Sequence, residues 1–209
     1  MRSGCASFCK AYSHGTLIPW LALVLSVALC FAPSSASGQP VRTIGDVLVR
    51  QSASFDCGLA AVATQLGILR GVRVSTEQLL QHLQPMTAAE RERIRQRGYS
   101  YAQLAQIARA EGFAPQLVAM APAALTALTA PAVVALSLPE GPHFSVLLAV
   151  NHHTVRLADP SYGEVVWPKA LFLRHWAGSG EGYLLSLTRA PDGSDGAPPA
   201  QGLGHPEYG

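Results

Sequence analysis

The pattern of apolar and polar positions changes its period about halfway along the chain. Three stretches have helical character, with Ser75 and Ser100 as candidate caps and Gly71 and Gly112 as end signals: CGLAAVATQLGIL, VSTEQLLQHL and YSYAQLAQIARAEGF. Between the last two, TAAERERIRQRG is typical of a solvated helix face. Short β-rich runs follow, separated by turn residues: APAVVALSL, HFSVLLAV, TVRLADP, GEVVWP and EGYLLSLT. Helices first and strands later predict an α+β fold with an antiparallel sheet.

The N-terminal residues have the order of a secretory signal. Arg2 and Lys10 carry the only charges before an apolar run over residues 17–32, and Ser34 and Ala36 then have the spacing of a signal-peptidase site. This order predicts a cleaved signal peptide made of the first 36 residues. We therefore expect an exported protein, periplasmic or secreted, that meets the membrane only through this segment.

Two alternatives remain open for the same segment. An uncleaved membrane anchor needs about 20 apolar residues, and the run is shorter than that. A lipoprotein site at Cys30 requires a small residue before the cysteine, whereas Leu29 is bulky. The cleaved signal is the simpler interpretation.

Removal of the signal changes the charge of the chain. It would leave 173 residues, enough for one domain with a core, and the acidic and basic residues would then be 13 each. A net charge of zero does not favour nucleic acid as a partner. From Pro191 onwards Pro, Gly, Asp and Ser dominate, so we predict a domain over residues 37–190 and a disordered tail over residues 191–209.

Cys57 would be the only cysteine of the mature chain. Exported proteins usually use cysteines in pairs, so a single thiol is buried and inert, forms an intermolecular bridge, or is reactive. The predicted position of Cys57 is the first turn of the first mature helix. Free N–H groups and the helix dipole stabilise an anion there, which lowers the pKa of a thiol. Cys57 is therefore a candidate nucleophile.

A nucleophilic thiol needs a base, which the fold must bring to it. His143 is the strongest candidate because it opens the strand HFSVLLAV beside the turn PEGP, whereas His152 and His153 are predicted at an exposed hairpin tip. Asp159 ends the next strand. In a hairpin it returns to the level of His143, where its carboxylate would orient the ring. The alternative is that Asp159 and Pro160 form only a turn.

Several of these residues together resemble a known family. Gln51, the motif DCGLAA, the strand HFSVLLAV and the motif ADPSYG are similar to the C39 family of papain-like cysteine peptidases, over about residues 42–188. That family includes the bacteriocin-processing, double-glycine leader peptidases and their stand-alone relatives. The resemblance implies a papain-like fold, with helices packed on the sheet and the nucleophile at a helix N-terminus. It assigns the nucleophile to Cys57, the base to His143, the orienting carboxylate to Asp159 and the oxyanion-hole side chain to Gln51.

The same resemblance implies a function. We expect an exported cysteine peptidase that cleaves a peptide or protein substrate, with a Gly-Gly preference taken from the family, and that uses no cofactor. Leu59 stands where the family often has proline. The transporter-linked members carry membrane and ATP-binding domains, and the sequence holds no Gly-rich phosphate loop with Lys and Ser or Thr. A stand-alone member with partners in secretion or extracellular fibre assembly is therefore the expectation.

Three alternatives to this function remain. The first is a catalytically weak peptide-binding module with the same fold. The second is a metal site made of Cys57, His143 and Asp159, although the sequence has no CxxC or HxxxH spacing typical of metal ligands. The third is another papain-like enzyme, such as a transglutaminase-like or cell-wall amidase-like protein. The spacing of Gln51 and the Asp-Pro pair favour C39.

Overall fold

The computed structural model describes residues 43–129 and 131–190. The predicted signal over residues 1–36 and the predicted tail over residues 191–209 lie outside this part, so both stay predictions. Within the described residues, no helix is long and apolar enough to cross a membrane.

Four helices come before the sheet, and local signals in the sequence determine their ends. They are α1 (Cys57–Arg70), α2 (Thr76–Gln81), α3 (Ala88–Arg97) and α4 (Tyr101–Ala110). The hydroxyls of Ser75 and Ser100 accept backbone N–H bonds at the starts of α2 and α4, as N-caps do. Gly71 follows α1 with a φ of +72°, a conformation that favours glycine. The predicted helices are confirmed.

The second half of the chain forms a six-stranded sheet in which every neighbouring pair is antiparallel. Its strands are β1 (Phe113–Met120), β2 (Ala132–Leu138), β3 (Gly141–Val150), β4 (Thr154–Asp159), β5 (Gly163–Pro168) and β6 (Gly182–Arg189). The strand order is β1-β6-β2-β3-β4-β5. The predicted α+β class with an antiparallel sheet is confirmed.

One strand and one α-helix were not among the predictions. Strand β1 contains Pro115, which argues against a central strand, but β1 lies at the edge of the sheet, where proline is tolerated. Helix α5 (Lys169–Trp176) has eight residues, too few for a clear helical period. It begins directly after Pro168, which ends β5.

The core consists of two apolar layers on opposite faces of the sheet, because side chains along a strand alternate between faces. One face packs against α1 and α4, and its strand residues are Phe113, Val133, Val146, Ala158, Leu185 and Leu187. The other face packs against α5 through Phe172 and Trp176, and its strand residues include Val134, Leu136, Leu147, Leu157 and Leu184. The sheet therefore lies between helices on both of its faces, and its central strands are buried.

The β3–β4 hairpin contains a bulge. Ala149 pairs with Arg156, but Leu147 pairs with Leu157, so Leu148 is an extra residue on β3. Below the bulge, Val146 pairs with Ala158. The ladder between the two strands begins at this last pair, and the part of β3 that precedes Ser145 extends past the end of β4.

Candidate active site

The thiol of Cys57 lies at the N-terminus of α1 and is buried, with 4% of the residue exposed. Asp56 is the N-cap residue of this helix, yet its side chain does not cap it. The carboxylate instead accepts a hydrogen bond from Ser52 Oγ at 2.5 Å. The first N–H groups of α1 therefore keep their capacity to bind an anion beside the sulfur.

Strand β3 supplies the surface against which Cys57 rests. The backbone N–H of Phe144 donates to the Cys57 Sγ at 3.4 Å, in the part of β3 that β4 does not pair with. Helix α1 can approach β3 this closely because residue 58 is glycine. A Cβ at Gly58 would lie 3.0 Å from the Phe144 ring and 3.3 Å from Leu104 Cδ1.

His143 and Asp159 are in direct contact. The ring Nε2 of His143 lies 2.9 Å from Asp159 Oδ2, and the two side chains are 12% and 2% exposed. The sequence predicted that Asp159 would be level with His143, but the register makes it level with Ser145. The side chains of His143 and Asp159 therefore meet on a diagonal. Asp159 also forms a turn, since its Oδ1 accepts the N–H groups of Ser161 and Tyr162 at 2.8 and 3.1 Å. The carboxylate therefore takes part in a turn and in a ring contact at once.

The charges of this pair reinforce each other. Burial would lower the pKa of His143, but hydrogen bonds to Asp159 and to the Cys57 side chain outweigh it and raise that pKa to about 9. Burial would raise the pKa of Asp159, yet the bonds from His143 and from the turn N–H groups bring that pKa below its ordinary value. Because Nε2 faces Asp159, Nδ1 is the ring nitrogen left for the sulfur. The arrangement favours an imidazolium beside the Asp159 carboxylate.

Gln51 is hydrogen-bonded to the two residues that follow Asp159. Its side-chain Oε1 accepts a hydrogen bond from Ser161 Oγ at 2.8 Å, and its backbone N–H donates to the Pro160 carbonyl at 3.1 Å. Within the described part of the chain, the Nε2 of Gln51 has no hydrogen-bond partner. Gln51 is thus held by its oxygen, and its two N–H donors are available.

The other histidines of the described residues lie elsewhere. His82 contacts Glu111 at 2.5 Å, and the ring of His175 contacts the Ser137 carbonyl at 2.7 Å. His152 and His153 are exposed at the β3–β4 turn, as predicted. Among the described residues, no group of three or more His, Cys, Asp or Glu side chains could hold a metal ion.

A cavity of about 490 Å³ opens beside Gln51 and Asp56. Its lining is partly apolar and partly charged. The apolar lining includes Val49, Leu59, Ala60, Val74 and Leu80, and the charged lining includes Arg50, Asp56, Arg73 and Glu77. The cavity lies beside the first turn of α1, and its lining does not include Cys57, His143 or Asp159.

The structure thus brings together all four residues singled out in the sequence. Cys57, His143 and Asp159 form one chain of contacts, and Gln51 joins it through Ser161. Ser161 itself was not among the sequence candidates. The only signal for it is its place directly after the Asp-Pro pair, where a serine is unremarkable as a turn residue.

Comparison with known proteins places this chain in one family. The model of the peptidase C39 family matches residues 46–192. A probable functional amyloid protease FapD from Pseudomonas aeruginosa is 28% identical over 141 residues, which cover 65% of this chain and 62% of the relative. The protein of the same name from Pseudomonas fluorescens is 27% identical with the same coverage. The chain thus spans less than two thirds of the length of these curated relatives.

Two solved structures share the fold. The peptidase domain of Streptococcus ComA, a bifunctional ABC transporter involved in quorum sensing, aligns with a TM-score of 0.55 and 21% identity, covering 69% of this chain and 98% of that domain. A double glycine motif protease from an AMS/PCAT transporter, solved with its leader peptide, aligns with a TM-score of 0.56 and 20% identity, covering 74% of this chain and 96% of that protein. The predicted papain-like architecture, with helices on an antiparallel sheet, is confirmed.

Proposed function

Because the chain belongs to the peptidase C39 family, we propose that it is a cysteine peptidase with Cys57 as nucleophile and His143 as base. Asp159 orients His143, and Gln51 stabilises the oxyanion. The observation that carries this proposal is the continuous chain of contacts from the buried thiol through the imidazole to the carboxylate. It is the order of groups that nucleophilic acyl transfer requires.

The reaction follows from these positions. His143 accepts the thiol proton at Nδ1, and the thiolate attacks the carbonyl carbon of a peptide bond to form a C–S bond. The carbonyl electrons move to oxygen, where the Gln51 Nε2 and the Cys57 backbone N–H stabilise the negative charge. The C–N bond then breaks, and His143 returns its proton to the leaving amine. Water, deprotonated by His143, hydrolyses the resulting thioester and restores the thiol.

The substrate class follows from the family. We expect a peptide or protein cleaved after a Gly-Gly type sequence, since a double glycine motif protease shares this fold. A close approach of the thiol to the substrate backbone suits small residues on the acyl side. The cavity beside Gln51 can hold a neighbouring segment of the substrate.

The protein is proposed to act outside the inner membrane, in the periplasm or the medium. The order of charge, apolar run and small residues at the N-terminus supports export. The names of the two Pseudomonas relatives, which are called functional amyloid proteases, support a partner in extracellular fibre assembly or its secretion. The substrate would then be a component of such an assembly.

The proposal is tested by two measurements on the full chain and on the variants Cys57→Ala and His143→Ala. The first is the rate of alkylation by iodoacetamide from pH 5 to pH 10. An isolated thiol ionises near pH 8.5, so without the imidazole the reaction at pH 6 should be at least about tenfold slower. The second is cleavage of internally quenched peptides in which Gly-Gly directly precedes the bond to be cleaved. Peptides with Ala-Ala at the same position are the matched control.

We expect cleavage by the native chain and loss of cleavage in both variants. Equal alkylation profiles for the native protein and His143→Ala would contradict the catalytic pair. Peptide binding without cleavage, together with those equal profiles, would identify a binding module that has the same fold.

A further inference from the structure

Ser161 is the residue at which the two halves of the site meet. Its backbone N–H donates to Asp159 Oδ1 at 2.8 Å, and its hydroxyl donates to Gln51 Oε1 at 2.8 Å. Its carbonyl accepts a hydrogen bond from the Arg50 guanidinium. One residue thus contacts the group that orients the base and the group proposed to bind the oxyanion.

The hydroxyl is the only part of Ser161 on which the Gln51 side chain depends. The backbone of the two segments is held separately, since Gln51 N–H donates to the Pro160 carbonyl at 3.1 Å. Ser161 bonds to the side chains of Asp159 and Arg50 through its own backbone N–H and carbonyl, and not through its hydroxyl. Removal of the hydroxyl therefore leaves the loop and the Asp159 turn in place, and frees one side chain.

A free glutamine side chain loses the advantage of a fixed donor. Donors stabilise an oxyanion because they are already oriented when the charge develops, and no reorganisation is then needed. Ser161 holds the amide by its oxygen, and this leaves Nε2 as the free end of the amide. Without that bond, the amide can rotate among several rotamers and between its two flip states.

We infer that Ser161 is a positioning residue for the oxyanion donor: its hydroxyl holds the Gln51 amide in the orientation that presents Nε2 to the substrate oxygen. This inference rests on the proposed function, because it assumes that Gln51 serves the oxyanion. It assigns to the motif ADPSYG a second role beside that of Asp159, namely the alignment of Gln51.

The test compares Ser161→Ala, Ser161→Thr, Gln51→Ala and the double variant Gln51→Ala/Ser161→Ala in the full chain. Cys57→Ala sets the background, and Ser54→Ala, an exposed serine of the segment before α1, is the matched control. Two reactions of the same thiol are measured. p-Nitrophenyl acetate acylates the sulfur through a tetrahedral oxyanion, whereas iodoacetamide alkylates it by displacement of iodide and forms no oxyanion.

Ser161→Ala should lower kcat for p-nitrophenyl acetate about three- to tenfold, the effect of one neutral hydrogen bond, with KM within about twofold. Gln51→Ala should lower it about a hundredfold or more, as loss of an oxyanion donor does. The double variant should equal Gln51→Ala, because Ser161 acts only through Gln51. Ser161→Thr keeps the hydroxyl and should retain most of the native activity. The rate at which iodoacetamide alkylates Cys57 should be unchanged in every variant that keeps this thiol.

Each other outcome is decisive. If Ser161→Ala has native kcat, or lowers it equally with and without Gln51, the inference is wrong although the peptidase proposal stands. If Ser161→Ala slows alkylation as much as acylation, Ser161 supports the nucleophile rather than the oxyanion donor, and the inference is also wrong. If the native chain releases nitrophenol no faster than Cys57→Ala, the proposed function itself fails and the inference fails with it.

Discussion

The ionisation of His143 gives the sharpest test of the site, because it depends on three named causes. Burial lowers the pKa of His143, while Asp159 and Cys57 raise it, and the result is about 9. In a Cys57→Ala protein, Asp159 is the remaining charge that raises it, so the pKa of His143 should stay above 6.5. With Asp159→Asn added, burial acts without an opposing carboxylate, and the pKa of His143 should fall below 6.5.

The magnitude follows from the same values. The difference between about 9 and the ordinary value of 6.5 for the pKa of His143 corresponds to about 3 kcal/mol that favours the folded state. A raised pKa in the folded state means that this stabilisation is complete below pH 6.5 and is lost as the pH rises to 9. The pKa of Asp159 is lowered from 3.8, so its contribution is present above that pH and is lost in acid. Between about pH 4 and pH 6.5, both His143 and Asp159 therefore stabilise the folded state.

The assay combines two measurements on the Cys57→Ala protein. NMR titration of the His143 ring gives its pKa directly, with and without Asp159→Asn. Urea unfolding at pH 6 and pH 9.5 gives the free energy of unfolding, with His143→Gln as the variant that cannot titrate. The free energy of unfolding should fall between these two pH values, and in the protein that keeps His143 it should fall by about 1 to 2 kcal/mol more than in His143→Gln. The difference is smaller than about 3 kcal/mol because the thiol, one of the groups that raise the pKa, is absent. A ring that titrates at or below 6.5 beside an intact Asp159 would refute the reasoning.

Two further predictions concern glycines that permit close packing. Gly58→Ala should destabilise the fold by about 1–3 kcal/mol, because its Cβ would lie 3.0 Å from the Phe144 ring. The same substitution should slow alkylation of the thiol at the start of α1. Urea unfolding measures the first effect, and the alkylation rate measures the second. Gly182→Ala should cost at least about 2 kcal/mol in the same unfolding assay, because its Cβ would lie 2.1 Å from the Trp176 ring. Gly180→Ala is the control for both, since the nearest atom lies at 4.0 Å and we expect a change within about 0.5 kcal/mol.

The parts of the fold that sequence alone predicted are those with local causes. A cap at Ser75 or Ser100 and a left-handed glycine at Gly71 act within one turn of a helix, so the residues that decide the structure are adjacent in sequence. Strand β1 and helix α5 were missed for the opposite reason. Strand β1 forms by pairing with β6, which follows it by more than sixty residues, and α5 packs mostly against β2, which precedes it by about thirty residues.

The candidate site was predicted at the level of residues, and the contact of Asp159 with the His143 ring was predicted with it. Cys57 was found from its helix start, and His143 from its strand start. Neither signal indicates that the N–H of Phe144 meets the sulfur, or that Ser161 holds Gln51. Such contacts join segments about ninety to more than a hundred residues apart, and their geometry is set by how closely α1 and the N-terminal segment pack on the hairpin.

The bulge at Leu148 shows how much can depend on one such detail. Near the hairpin turn, Ala149 pairs with Arg156, and this register continued without a bulge would place Asp159 opposite Val146. Val146 belongs to the face that packs on α1 and α4, and its side chain alternates with that of His143. A slip of one residue moves a side chain to the other face of the sheet. The extra residue on β3 shifts Asp159 to the level of Ser145 instead, on the same face as His143, and only then can the carboxylate reach the ring at 2.9 Å.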